Sequence, residues 1–411
     1  MAKRALIMLG AASNSSLYVQ AAQRLGLSPI TLSADPTCYD YLAAVGIEAI
    51  RVDGLDALIR ECSRLRATYD IAGIVSAQEL VYATVGKLCR HFDLPGPNPA
   101  SIERCCDKFV QRPLLAEAGV PIPAYRLAAD GAEVESAAAE IGLPVIVKPA
   151  AGIGSSGVRL CRNVDELAEH TTYLLGGKHI WRSSPEILIE EFAQGLHYSS
   201  QTFGDEVIGI GAIDWDHPPH FVCRELSYPA LLTNDQHKRI VGLSLSCLRA
   251  LDLGWGPTNI ECQWTKRGPV VTEVNPCLAA TPIPQLVKLA YGADLITEHI
   301  KLAIGDECDL RRRHSHTAVA RHLIADRDGT LDWIDGDTQA AAVLGVAEVK
   351  FYVEPKTLIV RKGDCRDCIG HIIAASPSLS ETEAILQRAV GSINWSITPF
   401  PKFPASYLWS D

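Results

Sequence analysis

Apolar residues in the first hundred positions switch between two spacings. Residues 4 to 9 form an unbroken apolar run of buried-strand length, Ser16 to Leu25 carries apolar positions at helical spacing, and Ser28 to Leu32 starts a second strand. The alternation returns at Gly73-Ile-Val75 and in a helix from Val81 to Phe92. Such alternation predicts β-α-β units with a parallel sheet. The first turn, Gly10-Ala-Ala-Ser-Asn-Ser-Ser16, has a single glycine, so the expectation is a Rossmann-like scaffold without a bound dinucleotide. Leu94-Pro-Gly-Pro-Asn-Pro99 is rich in turn formers and closes this unit.

Beyond it, Asp107 leads into a short helix stopped by Gly119, with Pro121 and Pro123 following; Pro113 either opens a second helix or kinks the first. Leu143 to Lys148 is a short apolar strand that runs into a loop with Gly152, Gly154 and Gly157, and Val158-Arg-Leu-Cys161 reads as its return strand. A helix from Asp165 to Leu175, a strand over Glu186 to Phe192 and strands at Glu206 to Ile213 and around Phe221 come next. Ile240, Leu243, Cys247, Leu248 and Leu251 share one face of a helix from Asp235 to Leu251. Thr258 to Trp264 and Val270 to Asn275 pattern as a hairpin turned at Lys266-Arg-Gly268. A helix from Pro284 to Ile304 leads to a charged connector, Asp306 to Ser315, whose Arg311-Arg-Arg313 triplet is expected to be solvated. Strands at Thr317–Ala325, Val346–Val353, Thr357–Arg361 and Gly370–Ala375, with a helix from Ser380 to Ile393, suggest a smaller α+β cap. The aromatic tail from Phe400 to Trp409 is expected to dock on its own or a neighbouring subunit.

Composition narrows the partners. With 411 residues, 47% hydrophobic and 21% charged, the chain has material for several globular units. A formal charge of −10 argues against nucleic acid or an anionic membrane surface and leaves a small molecule. The apolar run at the start is too short for a signal peptide, and no later segment has the length to span a bilayer. Thirteen scattered cysteines suit reduced thiols and a cytoplasmic location. Cys365-Arg-Asp-Cys368 has no second pair at metal spacing and reads as two free thiols in a surface turn.

Two stretches carry chemistry. In the 148–157 loop, glycines let backbone N–H groups approach a polyphosphate, Ser155 and Ser156 add hydroxyls and Lys148 a fixed positive charge. The P-loop order is absent, so the reading is a flap over a nucleotide, against an ordinary Gly/Ser turn. In the hairpin, Glu273 and Asn275 point to one face and Glu261 on the partner strand can share it. Three oxygen donors without histidine or cysteine suit magnesium; the alternative is a solvated face with unrelated glutamates.

Lys108, Lys148 with its flap, Glu190-Glu191-Phe192, Glu261 and Glu273-Val-Asn275 occur in the order of the ATP-grasp superfamily, which the chain resembles over nearly its whole length. It is similar in particular to the carboxylate-amine ligases with a cap like that of biotin carboxylase, including the L-amino-acid ligases that join two amino acids into a dipeptide, as in peptide-antibiotic biosynthesis. The resemblance implies an α/β and α+β ATP-grasp fold: a Rossmann-like unit at 1–106, a lid lobe at 107–192, a core lobe at 193–310 and a cap at 311–411. It implies that Lys108 and Lys148 bind ATP phosphates beneath Gly152, Gly154, Ser155, Ser156 and Gly157. Glu190, with backbone groups of Glu191, Phe192 and Ala193, would hold adenine, and His197 the ribose. Glu261, Glu273 and Asn275 would bind one or two magnesium ions, with manganese an alternative. Many relatives carry an arginine after the Glu-x-Asn-Pro strand, where this chain has Cys277. Either Arg224, Arg239 or Arg321 reaches in as a substitute, Arg321 favoured against a structural place in the cap, or the chemistry is altered; Cys277 is read as a packing residue over a reactive thiol. The implied reaction is phosphorylation of a carboxylate to an acyl phosphate and its capture by an amine, with amino-acid-like substrates and a homodimer as implied partners. An ATP-grasp carboxylase, a purine-pathway ligase and an ATP-binding protein without ligase activity are the competing readings.

Overall fold

A computed structural model describes residues 2–10, 13–35, 49–150, 154–176 and 186–401. Gly152 and most of the aromatic tail lie outside the described residues. The N-terminal apolar runs form strands β1 (Lys3–Leu9), β2 (Ser28–Ser33), β3 (Ala49–Arg51) and β4 (Tyr69–Val75), ordered β3-β2-β1-β4 and all parallel. Helices α1 (Ser15–Arg24), α2 (Leu55–Leu65) and α3 (Tyr82–His91) accompany them, and the fully buried β1 residues Ala5, Leu6 and Ile7 explain the unbroken apolar run.

Helices α4 (Pro99–Cys106) and α5 (Lys108–Glu117) follow, and α5 runs through Pro113 as one helix. The lid lobe comprises β5 (Tyr125–Ala128), α6 (Gly131–Ile141), β6 (Val145–Pro149), β7 (Arg159–Cys161), α7 (Val164–Gly176) and β8 (Ile187–Glu191). Its antiparallel sheet has the order β5-β8-β6-β7, with Val147 opposite Arg159, so the flap is the tip of the β6–β7 hairpin.

The core lobe holds β9 (Leu196–Phe203), β10 (Glu206–Trp215), β11 (Cys223–Tyr228), α8 (Asn234–Leu251), β12 (Pro257–Thr265), β13 (Gly268–Asn275), α9 (Ile283–Tyr291) and α10 (Leu295–Ala303). Two expectations change here, and one strand is added that the apolar pattern did not predict. Leu196–Phe203 is a full strand, the strand expected around Phe221 begins at Cys223, and the helix expected over Pro284–Ile304 is two. The break falls at Gly292, whose φ of +77° is left-handed, and Asp294 then caps α10 through the Thr297 N–H at 3.1 Å. The arginine triplet is not uniformly solvated: the Arg312 guanidinium lies 4.2 Å from the Tyr291 ring centre and donates to the Ile208 carbonyl at 3.0 Å.

The C-terminal residues give β14 (Thr317–Ile324), β15 (Gly329–Asp335), α11 (Asp337–Ala341), β16 (Val346–Phe351), β17 (Leu358–Ile359), β18 (Cys368–Ser376), α12 (Leu379–Val390) and β19 (Asn394–Thr398). Strands β15 and β19 were not legible from the apolar pattern; with β17 they make a three-stranded sheet. Strands β14, β18 and β16 instead extend the core sheet, whose order is β13-β12-β9-β10-β11-β14-β18-β16.

Gly195 sits where the chain passes from lid to core. The Trp264 carbonyl oxygen lies 1.9 Å from where a Cβ at this position would stand. Gly195→Ala is expected to destabilise the protein by about 1–3 kcal/mol through backbone displacement. The drop is read as a lower urea midpoint; an unchanged midpoint would contradict this packing.

Candidate active site

The floor of the site is the β12–β13 hairpin. Glu261 and Glu273 stand directly opposite each other, as do Asn259 and Asn275 two residues along. Opposed positions share a face, so these four side chains make one polar patch. Strand β9 extends it, with Ser199 opposite Glu261 and His197 opposite Gln263. A buried network orients the patch: Ser199 Oγ donates to Asn259 Oδ1 at 2.8 Å, Gln201 Nε2 donates to the same oxygen at 2.6 Å, and Asn259 Nδ2 donates to Glu261 Oε1 at 3.3 Å. His197 Nε2 lies 3.0 Å from the other Glu261 oxygen, while its buried Nδ1 has no hydrogen-bond partner among the described residues.

Cations approach from α5 and β6. Asp107 caps α5 by accepting from the Phe109 N–H at 2.8 Å, and the helix then places Lys108 and Arg112 one turn apart on its buried face. Lys108 Nζ is 3.0 Å from Glu273 Oε1. Glu190 is shared by two cations, with Arg112 Nε at 2.7 Å from Oε1 and Lys148 Nζ at 2.5 Å from Oε2; Arg112 also donates to the Thr272 carbonyl at 2.5 Å.

Burial opposes the charge on each member of this cluster, and the pairings decide the outcome. For Glu190 the desolvation cost is overcome by Arg112 and then Lys148, which bring its carboxyl down to about 2. Burial likewise works against ionised Glu273, but Lys108 and Lys148 hold its carboxyl below the usual range. Lys108 is raised despite burial because Glu273 and Glu79 face it, whereas for Lys148 burial prevails over Glu190 and lowers the ammonium. Burial pushes Glu79, on the N-terminal unit, up to about 7, with Lys108 opposing and Glu273 adding to the rise.

Floor and cations line a cavity of about 820 Å³, open space at its mouth included, roofed by Gly154, Ser155, Ser156 and Val158. Lys108, Lys148, Glu190, Glu191, Phe192, Ala193, His197, Glu261 and Glu273 line it, so the structure brings these sequence-derived residues together. Gly154, Ser155 and Gly157 have φ of +63°, +61° and +74°, a left-handed backbone that favours glycine at the first and last of them. The Gly157 carbonyl lies 2.9 Å from His170 Nε2. Glu191 turns its carboxylate to Arg267 of the β12–β13 turn at 2.6 Å.

The cations expected to replace the missing arginine are placed elsewhere. Among the described residues, Arg224, Arg239 and Arg321 do not line the cavity. Arg224 is bound to Asp214 at 2.5 Å, the Arg321 Nε donates to Glu225 at 2.8 Å, and Arg239 lies 4.9 Å from the Trp264 ring centre. Each is engaged by its own carboxylate or ring. Cys277 is 6% exposed within the core, and burial, then Glu79, pushes its thiol well up. Packing fits that environment; a nucleophilic thiolate does not.

Arg112, Glu79, Thr272, Gln263, Trp215 and Phe221 were missed in the sequence. Arg112 had a signal: Lys108, Gln111, Arg112 and Leu115 repeat at helical spacing, so two cations occupy the apolar face of one helix. Gln263 also had one, standing two residues from Glu261 on the same strand; the others had none.

Magnesium, implied by the resemblance, fits the donors here. Glu261 and Glu273 are opposed and offer carboxylate oxygens, and Glu273 is held ionised by lysines. No group of three His, Cys, Asp or Glu side chains stands ready for a metal among the described residues, so phosphate oxygens and water would complete a shell begun by two carboxylates.

The chain is similar to several known proteins. Residues 107–311 match the family model for the carbamoyl-phosphate synthase L chain ATP-binding domain, and residues 321–398 match L-amino acid ligase C-terminal domain 2. The chain is 61% identical over 401 residues to the uncharacterized protein y4rH of Sinorhizobium fredii, covering 97% of this chain and 84% of that one. It is 25% identical over 333 residues to human carnosine synthase 1, covering 74% of this chain but 40% of that protein. Its fold matches the crystal structure of L-amino acid ligase from Bacillus licheniformis with a TM-score of 0.82 at 19% identity, covering 97% of this chain and 100% of that one. The chain belongs to the ATP-grasp superfamily, within its carboxylate-amine ligases. Among the described residues, no helix is long and apolar enough to cross a membrane.

Proposed function

We propose that this protein joins two amino acids into a dipeptide at the expense of ATP. The γ-phosphoryl group passes to the carboxylate of one amino acid with departure of ADP; the amine of the second then attacks the acyl carbon, loses a proton and expels phosphate. The observation that carries this reading is the opposed Glu261–Glu273 pair facing Lys108 and Lys148 beneath a glycine-rich flap.

Each residue has a role its surroundings support. Lys108 and Lys148 hold phosphate oxygens, and Glu190, pinned between Arg112 and Lys148, fixes where the Lys148 ammonium points. Glu261, Glu273 and Asn275 would hold magnesium, which when bound would neutralise phosphate charge. Gly154, Ser155, Ser156 and Gly157 cover the phosphates and exclude water from an intermediate that water would hydrolyse. Backbone groups of Glu191, Phe192 and Ala193 line the adenine side. The unpaired His197 Nδ1 is available to a ribose hydroxyl. The matched ligase C-terminal domain over residues 321–398 supports amino acids as substrates. A homodimer in the cytoplasm is the proposed setting.

The test is phosphate release across pairs of amino acids, with products identified by mass spectrometry. A dipeptide mass with stoichiometric phosphate is expected. Turnover that requires bicarbonate and no amino acid would replace this reading with a carboxylase, and ATP binding without any turnover would leave a nucleotide-binding protein.

A further inference from the structure

The phosphate flap is held from outside the ATP site. Between β17 and β18 the cap makes a tight turn, Gly363 to Asp367, tied at both ends by nearly solvent-free carboxylates. Asp364 accepts from the Arg366 N–H at 3.0 Å and holds the Arg366 guanidinium, with Nε at 2.9 Å. Asp367 accepts from the N–H groups of Lys362 and Gly363 at 2.6 and 2.9 Å. Such a turn has little freedom of its own.

Its outer surface meets the flap at three points. The Cys365 N–H donates to the Gly154 carbonyl at 3.2 Å. Arg366 Nη2 donates to Ser156 Oγ at 3.3 Å. The Cys365 sulfur fills the space beside Gly154, 2.4 Å from where a Cβ would stand. The loop before β11 joins the same junction, with the Pro219 carbonyl accepting from the Leu160 N–H at 3.0 Å and the His220 ring packed against Gly363. The lid sheet itself gives little support there, because β7 is a three-residue edge strand paired only with β6.

We infer that the cap turn Gly363–Asp367 is a latch for the phosphate flap, with Arg366 as its positioning residue. The inference rests on reading Gly154–Gly157 as the flap over ATP phosphates. A serine hydroxyl that accepts from a guanidinium keeps its own proton to donate, so Arg366 leaves the Ser156 O–H for a phosphate oxygen. Cys365 is the stop against which Gly154 closes. Closure over the nucleotide is thereby linked to the cap.

Hydrogen–deuterium exchange on the ligand-free full chain tests the latch independently of ATP. Arg366→Ala is expected to speed exchange in the 154–160 peptide by about tenfold, as loss of a charge-assisted hydrogen bond would, while peptides from β12 and β13 stay unchanged. Arg366→Lys, which keeps the charge and loses the fork to Asp364, should give a smaller increase and serves if the alanine variant does not fold. Equal exchange in the flap of all folded variants and the wild type would overturn the latch. Titration with ATP and magnesium separates the two readings. Weaker binding in Arg366→Ala than in wild type supports the latch acting on the nucleotide site; wild-type binding that the variant reproduces unchanged overturns that action. A wild type that binds no ATP would remove the nucleotide reading, while the exchange rates would still decide whether the turn restrains the flap.

Discussion

Glu273→Gln is expected to cut ATP-dependent phosphate release by about 10²–10³, the usual scale for losing one preorganised charge in an active site. The amide keeps the volume of the carboxylate, so the hairpin should hold its register. What changes is charge: Lys108 loses the carboxylate 3.0 Å away, and Glu261 loses the second carboxylate directly across the strands. Both effects remove attraction for a divalent cation and leave a lysine whose ammonium was raised by that carboxylate. Phosphate release at saturating ATP, with the thermal midpoint measured alongside, checks the expectation. Release at the wild-type rate in a folded variant would show that this hairpin does not serve the chemistry.

The second large effect concerns stability. Arg112→Met should destabilise the protein by about 3–5 kcal/mol, because it leaves one partner of a buried ion pair behind. Arg112 is 0% exposed, and the Glu190 carboxylate it holds is 3% exposed. Lys148 alone would then have to balance Glu190 in a site where burial already lowers the lysine. The pH dependence follows with a definite sign. Glu190 is held near 2 against an ordinary value of 4.5, so its contribution is present above about 4.5 and fades as pH falls from there toward about 2. In Arg112→Met that contribution should be largely gone, and the urea midpoints of variant and wild type should converge as pH drops through this window. A gap that stays constant down to pH 2 would place the effect in packing and not in charge.

How much of this was legible in the chain depended on range. The β6–β7 and β12–β13 hairpins could be read because each is local: a strand, a tight turn and a return strand carry their own apolar alternation, and the Glu-x-Asn spacing fixes a common face. Arg112 was overlooked although its spacing to Lys108 was visible, because an arginine on a helix is ordinarily solvated and nothing local says that Glu190, 78 residues on, will bury it. The partners of the arginines expected to replace the missing one were hidden for the same reason in reverse. Arg224 and Arg321 look like free cations in a sequence, and only the fold reveals Asp214 and Glu225 beside them. Helix α9 ended early because Gly292 takes a left-handed conformation that an apolar pattern alone does not register.

The eight-stranded sheet has one more consequence. Core and cap share a continuous ladder of backbone hydrogen bonds from β13 to β16, so shearing one against the other would break a row of bonds at once. Among the described residues, the lid sheet shares no strand pairing with that ladder. The lid can therefore shift against core and cap without breaking that ladder, and a displacement of the Glu261–Glu273 hairpin is carried along the ladder toward β18, whose leading turn meets the flap.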